Sequence, residues 1–450
     1  MIKSASFWES QHPEIVIDEP LRGAARVDVA IIGGGFTGLS AAREIKCSEP
    51  ALSVSVFEAQ YIGYGASGRN GGFNMTLFGL EPEITVLRWG QQKTREAQQY
   101  MIRAVEYVRE LVEHYDLDSA YEHTGMVRVA YSSAQVKRLN NSMELFQKLG
   151  LDANYQFQSG DQIRQSIHSP RFQAGIFEKN SGILNPFKHV QELKRIAKNA
   201  GASIYERTPI LKIEKSPNNI TLRTPDGIVI CNRLIIATNA WSNTVRGLPR
   251  IRSRQTPVWT SQVVTQKLSE QQWNDIGWNR RQSVEDNRQL IHYFRRTQCG
   301  RLTMGGGNVA FPNKNTMESM NTVKIWKDLH GHIKWLFPSL KDIRIEHRWG
   351  GPVSVNLDMT PEIGFIGDRR IIYSAGCIGH GVSLTQLNGR TIADLVLENQ
   401  TELTDFWIVN RKALPWPPGW VGDGVVRTIT TGLKLWDALE ERELQEKPDT

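Results

Sequence analysis

One run in this chain has a spacing that prescribes a chemistry: Gly33-x-Gly35-x-x-Gly38, entered from Val27-Asp-Val-Ala-Ile-Ile32 and left through Leu39-Ser-Ala-Ala-Arg-Glu-Ile45. The first glycine permits a tight turn, the second lets the backbone approach a pyrophosphate, and the third lets a helix pack close to a strand. Phe36 and Thr37 open that helix, whose first N–H groups and dipole favour a phosphate. Leu52-Ser-Val-Ser-Val-Phe57 reads as the next strand and ends at Glu58-Ala59, about twenty residues past Gly38. An acid there accepts from a ribose hydroxyl pair and favours an adenosine without a 2′-phosphate. Strand, turn, helix and acid in this order point to dinucleotide binding.

Three further segments carry chemistry. Gly63-Tyr-Gly-Ala-Ser-Gly-Arg-Asn-Gly-Gly72 lays the backbone of Gly65, Ala66, Gly71 and Gly72 where side chains would collide with a phosphate or ring. Ser67, Arg69 and Asn70 add polar contacts; the plain alternative is a flexible loop. Ile235-Ile-Ala-Thr-Asn-Ala-Trp-Ser242 reads as a buried strand opening into small residues, with Thr238 and Trp241 at the floor of a cofactor site, or as an ordinary sheet strand. Ile372-Tyr-Ser-Ala-Gly-Cys-Ile-Gly-His-Gly381 sets Gly376, Gly379, His380 and Gly381 at a second helix start. Such a start, aimed at the N1–C2=O edge of a flavin, would stabilise the anion formed on reduction.

Candidates for the substrate end are Arg69, Arg295 and Arg348 as cations for an anionic tail, followed by Lys188, with Tyr293 and His380 beside them. Alternation along Gln289–Arg296 puts Tyr293 and Arg295 on one face. The competing reading is structural in each case: arginines in ion pairs, His380 as a cap, and Tyr293, Trp241 and Trp349 as core aromatics.

The elements that must position these residues follow from periodicity. The order predicts a β-α-β opening, a helix over 91–115, a strand over 121–130 and a helix over 133–149. Pro186–Gly201 is an amphipathic helix, with proline at its start and glycine at its end. Strands follow at 209–215, 219–224, 227–231 and 233–238, then antiparallel strands between Gln255 and Gly307, a helix over 317–336, and a strand–helix unit from Arg370 to about Glu398. A helix is predicted at 428–443. The class is α/β, a split nucleotide domain (1–90, 160–245 and 345–400) with an inserted antiparallel-sheet α+β substrate domain (91–159 and 246–344) and a C-terminal extension, 401–450, read as an extra packing element or a surface for a partner or membrane.

Composition narrows the function further. The net charge of +7 over 450 residues is mild, and the short basic stretches Asn279–Gln282 and Pro249–Arg254 read as solvated loops, so no nucleic-acid partner is expected. No apolar run approaches the ~18–20 residues of a membrane span, and Met1–Ser10 lacks a signal-peptide core. Cys47, Cys231, Cys299 and Cys377 form neither a CxxC pair nor a metal-like cluster with histidine, so reduced thiols, a cytoplasmic location and no metal are expected. The sequence specifies no oligomeric state.

Together, Gly33–Gly38, Glu58-Ala59, Gly65–Gly72, Ala237-Thr-Asn-Ala240, Arg348-Trp-Gly-Gly351 and Gly376–Gly381 resemble the FAD-dependent amine and amino-acid oxidases of the D-amino-acid oxidase, glycine oxidase and sarcosine oxidase superfamily, nearest its γ-glutamylputrescine-oxidase-like branch. The resemblance covers most of the chain and implies a Rossmann-like FAD-binding domain. It implies that Gly33, Gly35 and Gly38 hold the pyrophosphate, Glu58 the ribose, and Ile210 the strand that meets adenine. Ala66 to Gly72 would line the isoalloxazine, and Gly379 to Gly381 its pyrimidine edge. Two departures stand out. No cysteine lies near Arg348-Trp-Gly-Gly351, which implies non-covalent FAD, and no oxygen-activating lysine lies on Gly300–Gly305. The implied reaction takes a hydride from the carbon beside a small amine's nitrogen to flavin N5, and the imine is hydrolysed to a carbonyl and a released amine. Oxygen or another acceptor then takes the electrons. An FAD amine dehydrogenase, a flavin monooxygenase, a nicotinamide dehydrogenase and a non-catalytic FAD-bound partner protein are the alternatives.

Overall fold

The computed structural model describes residues 5–12, 14–247, 251, 253–312, 317, 322–417 and 419–445. Parts of the Met1–Ser10 lead, the 249–254 loop, the start of the helix predicted over 317–336 and the end of the tail lie outside them.

Apolar alternation in the opening segment produces the centre of a sheet. Gly23–Ile32 pairs in parallel with Val54–Phe57 on one side and Gly227–Ile236 on the other. Ser203–Tyr205 and Ile371–Ala375 extend it in parallel, and Glu362–Phe365 closes one edge antiparallel. Lys212–Lys215 and Ile220–Arg223 fold against Gly227–Ile236 as a meander. Val29 and Ile31 pack on the helices Phe36–Ser48, Pro186–Asn199 and Gly381–Leu397, while Ala30 and Ile32 pack toward the meander. Both faces are covered, as a parallel sheet requires.

A second eight-stranded sheet runs in the order Ile345–Val355, Thr256–Thr265, Leu302–Gly306, His292–Arg296, Ser283–Asp286, Met126–Ala130, Ala174–Glu178, Tyr155–Ser159. Its pairs are antiparallel except that of Ser283–Asp286 with Met126–Ala130, which is parallel. The helix Val323–Leu336 covers one face. The expected boundaries shift here, because this sheet takes Ala174–Glu178 and Ile345–Val355 from segments assigned to the nucleotide domain. Local periodicity cannot say which sheet a strand joins.

Other elements differ in their ends. The helix expected at 91–115 begins earlier, at Pro82, and breaks at Gly90 (φ 79°). The strands predicted at 227–231 and 233–238 are one, Gly227–Ile236, and Asn232 within it donates to Asp28 Oδ1 at 3.0 Å. The strand expected over 121–130 starts only after Gly125, whose φ is +73°. The strand predicted to end at Thr238 stops at Ile236, and Asn239–Thr244 forms a 3₁₀ turn. The tail is tied down along its length: Arg411 pairs with Asp358 at 2.6 Å, Trp416 Nε1 donates to the Val355 carbonyl, and Asp437 accepts from the Gln289 and Leu290 N–H groups. Among the described residues no helix is long and apolar enough to cross a membrane.

One buried histidine locks three helices around the nucleotide fingerprint. His189 Nδ1 lies 2.8 Å from Ser119 Oγ, Nε2 lies 3.0 Å from Gln386 Oε1, and its ring meets Phe36 edge-on at 5.6 Å. Gln386 in turn donates to the Val382 carbonyl, which orients its Oε1 as the acceptor. Burial pushes the imidazole down to about 4, against the Gln386 bond, so the ring is neutral at pH 7. An unfolded histidine with a pKa of 6.5 binds its proton first, so this stability is present above pH 6.5 and lost as pH falls toward 4. The amount is on the order of 3 kcal/mol. In a melting series over that range, wild type is expected to lose stability more steeply than His189→Gln, by about one proton; identical slopes would refute it.

Candidate active site

Four backbone segments converge on one groove that opens to solvent. Gly35, Phe36 and Thr37 come from the first helix start; Ala66, Ser67 and Asn70 from the glycine loop; Ala237 and Asn239 from the end of a central strand; and Cys377, Gly379, Gly381 and Val382 from the second helix start. Gly33 turns the chain with φ +106°, and a Cβ there would lie 2.6 Å from the Ala237 carbonyl oxygen. At Gly38 a Cβ would lie 2.0 Å from the Gly33 carbonyl oxygen, so helix and strand meet through that glycine. Ser67 Oγ accepts from the Phe36 N–H at 2.9 Å, which joins the glycine loop to the first helix. Glu58 closes the other end: its Oε2 accepts from Gly34 N–H at 2.8 Å, its Oε1 from Gln60 N–H at 3.0 Å. It keeps some exposure, yet burial is the largest influence on its carboxyl and raises its pKa, with the Gly34 and Gln60 bonds opposing.

The second helix, Gly381–Leu397, has His380 at its N-cap with no side-chain cap bond, so its first N–H groups face the groove uncapped. A Cβ on Gly379 (φ +88°) would meet nothing within 4 Å, so open space rather than packing surrounds this glycine. His380 Nδ1 is buried without a hydrogen-bond partner, and burial pushes the ring down to about 4, so it is neutral. Sequence reasoning chose Thr238 and Trp241 from the strand end, but Ala237 and Asn239 line the groove. Thr238 Oγ1 bonds Ser242 Oγ at 2.7 Å, and Trp241 packs by Tyr64 with its Nε1 3.8 Å from a Cβ built on Gly65. Asn239 Oδ1 accepts from Ser354 Oγ, which itself accepts from Gly376 N–H at 2.9 Å. Ser354 left no signal in the sequence.

The far side of the glycine loop meets the second sheet. A Cβ on Gly71 would lie 3.0 Å from Tyr293 Cε2, and one on Gly72 2.9 Å from Arg295 Nη2. Tyr293 and Arg295 therefore do share a face, and that face looks onto the loop. Arg295 is buried, donates to the Leu184 carbonyl at 2.8 Å and lies 4.6 Å over the Trp8 ring. Its Nε has no partner. Burial pushes its guanidinium down to about 9, with the Arg281 charge adding to the effect.

The other candidates lie elsewhere. Arg69 is buried in a stitch between the loop and the second sheet, donating to the Tyr64 and Gly350 carbonyls at 2.8 and 3.1 Å. Arg348 is exposed on the opposite face from Trp349, so it meets neither Tyr293 nor Arg295. Alternation along its strand sends consecutive side chains to opposite faces. Lys188 pairs with Asp118 at 2.8 Å. Trp349 is a core residue that donates to the Arg69 carbonyl at 2.9 Å and does not wall a pocket. Ile210 is core and precedes the strand expected to carry it, which starts at Lys212; Ala59 is exposed.

Among the described residues, Asp286, His292 and His332 each bring a possible ligand atom within 4.8 Å of the others. The two imidazoles are stacked, with centroids 4.0 Å and planes 15° apart. Lone pairs lying in parallel planes do not converge on one ion, so this triad is a poor metal cage. His292 Nδ1 instead donates to Asp286 Oδ2 at 2.9 Å.

A parallel sheet ending in two glycine-rich helix starts around one groove is the layout of a dinucleotide-binding protein. Residues 28–395 match the DAO family model, described as FAD dependent oxidoreductase, and the chain belongs to that family. It is 29% identical over 418 residues to the γ-glutamylputrescine oxidoreductase of Escherichia coli (strain K12), covering 92% of this chain and 94% of that one. It is 23% identical over 310 residues to the glycine oxidase of Bacillus subtilis (strain 168), covering 66% and 76%. Among solved structures, the L-proline dehydrogenase from P. horikoshii superposes with a TM-score of 0.71 at 22% identity, over 86% of this chain and 97% of that one. The glycine oxidase from Geobacillus kaustophilus superposes with the same TM-score, 0.71, at 19% identity, over 86% and 100%.

Proposed function

We propose that the groove holds FAD and that the sheet face beside Gly71 and Gly72 receives a small amine or amino acid whose C–N bond is oxidised. The carrying observation is the double engagement of one loop: Ala66, Ser67 and Asn70 line the groove while Gly71 and Gly72 touch Tyr293 and Arg295. The uncapped helix start at Gly381, the first helix start at Phe36, glycines where a Cβ would fill the cradle, and the Glu58 carboxyl support the fit to a flavin dinucleotide. The names of the relatives, γ-glutamylputrescine oxidoreductase and glycine oxidase, point to amines that also carry a carboxylate.

When bound, FAD would supply the two-electron oxidation of the C–N bond, with water hydrolysing the imine product to a carbonyl compound and the released amine. The chain's own residues position and desolvate. The helix start at Phe36 and the turn at Gly33 to Gly38 would hold the pyrophosphate, and Glu58 would accept from the ribose. Uncapped N–H groups at Gly381 and Val382 would supply fixed positive dipoles to the cofactor's ring. Tyr293 walls the substrate side and Arg295 holds a carboxylate. Neutral His380 offers a hydrogen bond but no ionisable proton at pH 7. Cys377 lines the groove, but burial raises its thiol, with the Gly379 and Ser354 contacts opposing; a protonated thiol is a poor nucleophile, so the FAD is non-covalent. A cytoplasmic location accords with four free cysteines.

The test is anaerobic titration of the yellow protein with a panel of amines and with NADPH, followed by oxygen. Bleaching near 450 nm by an amine, and none by NADPH, is the expected result. Bleaching by NADPH alone would move the protein to the monooxygenases, and bleaching by neither would end the amine reading. Reoxidation by oxygen at the rate of turnover makes oxygen the acceptor; slower reoxidation assigns the electrons to another one. The strand Leu302–Gly306 turns Thr303 and Gly305 toward the Tyr293 face and carries no lysine.

A further inference from the structure

Ser354, near the end of the strand Ile345–Val355, is fully buried and ties together segments that are remote in sequence. Its carbonyl accepts from the Ile378 N–H at 3.1 Å, and its Oγ accepts from the Gly376 N–H at 2.9 Å. Its hydroxyl proton goes to Asn239 Oδ1. A residue of the second sheet thus holds both the turn before the second helix and the segment that leaves a central strand of the first sheet. That turn needs holding, because Gly376 has φ +74° and Ile378 φ +53°, a region that a branched side chain rarely enters.

Asn239 is half-buried, lines the groove and has φ +45°. Glycine would hold that backbone without strain; asparagine holds it at some cost and brings an amide. Strained residues of this kind gather at ligand sites. Both donors that reach the amide meet the same atom, since Cys377 Sγ lies 3.7 Å from Oδ1 beside the Ser354 hydroxyl. Ser354 Oγ is already an acceptor from Gly376, so its proton needs Oδ1, and this fixes which end of the amide is oxygen. Among the described residues, the side-chain hydrogen bonds of Asn239 all end at Oδ1. Nδ2 is left with no acceptor, on a residue that lines a groove open to solvent. A stitch between two sheets would use Oδ1 alone.

The place of Asn239 in the groove selects what Nδ2 meets. Glu58, bonded to Gly34 N–H, marks the adenosine side. Asn239 is tied to the other side, through Ser354 and Cys377, and Val353 beside Ser354 lines the groove as well. Gly351 of the same strand abuts the glycine loop, where a Cβ would lie 3.2 Å from Arg69 Cδ. We propose that Asn239 donates from Nδ2 to an oxygen in the flavin half of the bound dinucleotide, and that Ser354 is the positioning residue that aims it. This rests on the FAD reading above. The sheet that carries Tyr293 and Arg295 thereby also fixes a contact to the cofactor.

The experiment titrates the full chain, freed of bound flavin, with FAD and separately with ADP, which presents the adenosine half alone. Asn239→Gly removes the amide and relieves the positive φ, so its fold is kept. Its Kd for FAD is expected to rise about 10-fold, the loss of one hydrogen bond, while its Kd for ADP stays at the wild-type value. Asn239→Asp, which keeps the acceptor and loses the donor, should bind FAD at least as weakly as Asn239→Gly. Ser354→Ala should raise the Kd for FAD about 10-fold in the wild-type background but less than about 2-fold on top of Asn239→Gly, because it acts through the amide. Melting temperatures are recorded for each variant, and Ser354→Cys, close in size with a weaker donor, replaces Ser354→Ala if that variant melts early. Wild-type FAD affinity in Asn239→Gly overturns the proposal, as does an equal loss for ADP, which would make Asn239 part of the groove's general shape. Effects of the two substitutions that simply multiply overturn the positioning role of Ser354. A wild type that binds ADP but not FAD ends the FAD reading and this proposal with it, whereas a wild type that binds FAD no better than the variants ends the proposal alone.

Discussion

Gly35→Val is expected to yield a folded, colourless protein. Gly35 sits at the N-cap of Phe36–Ser48 with φ −90° and ψ −171°, a backbone that any residue adopts. A Cβ there lies 2.8 Å from Ser67 Oγ, the end of a small side chain that can rotate away. The fold therefore loses only the cap preference and the Ser67 bond to Phe36 N–H, ~1–2 kcal/mol. The groove loses far more, because the added methyls stand where the proposed pyrophosphate must approach the first helical N–H groups. FAD affinity should fall on the order of 100-fold, the ~3 kcal/mol at the upper end of overpacking costs. The ratio of absorbance at 450 and 280 nm after desalting, with a quench titration for Kd, reads this directly. Full flavin content in the variant would remove Gly35 from the binding site. Gly33→Ala provides the contrast. There the φ of +106° and the Ala237 carbonyl oxygen, 2.6 Å away, are both backbone constraints. That variant should lose ~2–4 kcal/mol of stability as well as its colour.

Arg295→Met is expected to separate activity from stability. The guanidinium is buried, its hydrogen bond among the described residues goes to the Leu184 carbonyl, and its Nε is unsatisfied. A cation held this way costs stability, so an apolar side chain of similar length should leave the melting temperature level or raise it. A substrate carboxylate would supply the missing partner. Removing one side of a buried charge pair costs ~3–5 kcal/mol, so kcat/KM for carboxylate-bearing amines should fall 10²–10³-fold, with little change for amines lacking a carboxylate. Burial, with the Arg281 charge adding, lowers the pKa of Arg295, but a guanidinium keeps its charge across the working pH range, so capture of a carboxylate should not vary with pH through this group. Equal losses for both classes of amine would reduce Arg295 to a structural role.

The cofactor end was legible from contiguous residues. Gly33 to Gly38, their strand and helix, and Glu58 lie within one β-α-β unit, where spacing along the chain is nearly spacing in three dimensions. The amphipathic helix over Pro186–Asn199 also appears where its periodicity put it. The substrate end was less legible. Arg69, Arg295 and Arg348 looked alike as cations, yet one stitches carbonyls, one faces the loop unpaired, and one lies in solvent.

By itself the sequence determined the family, its flavin dinucleotide and the glycine turn proposed to hold the phosphates, since glycine spacing and alternation are local properties of the backbone. The tertiary structure decided which sheet each middle strand joined and which face looked inward. Alternation says that neighbours face opposite ways but not which way is in, and register between strands remote in sequence brought Arg128, Glu285 and Tyr293 into one row.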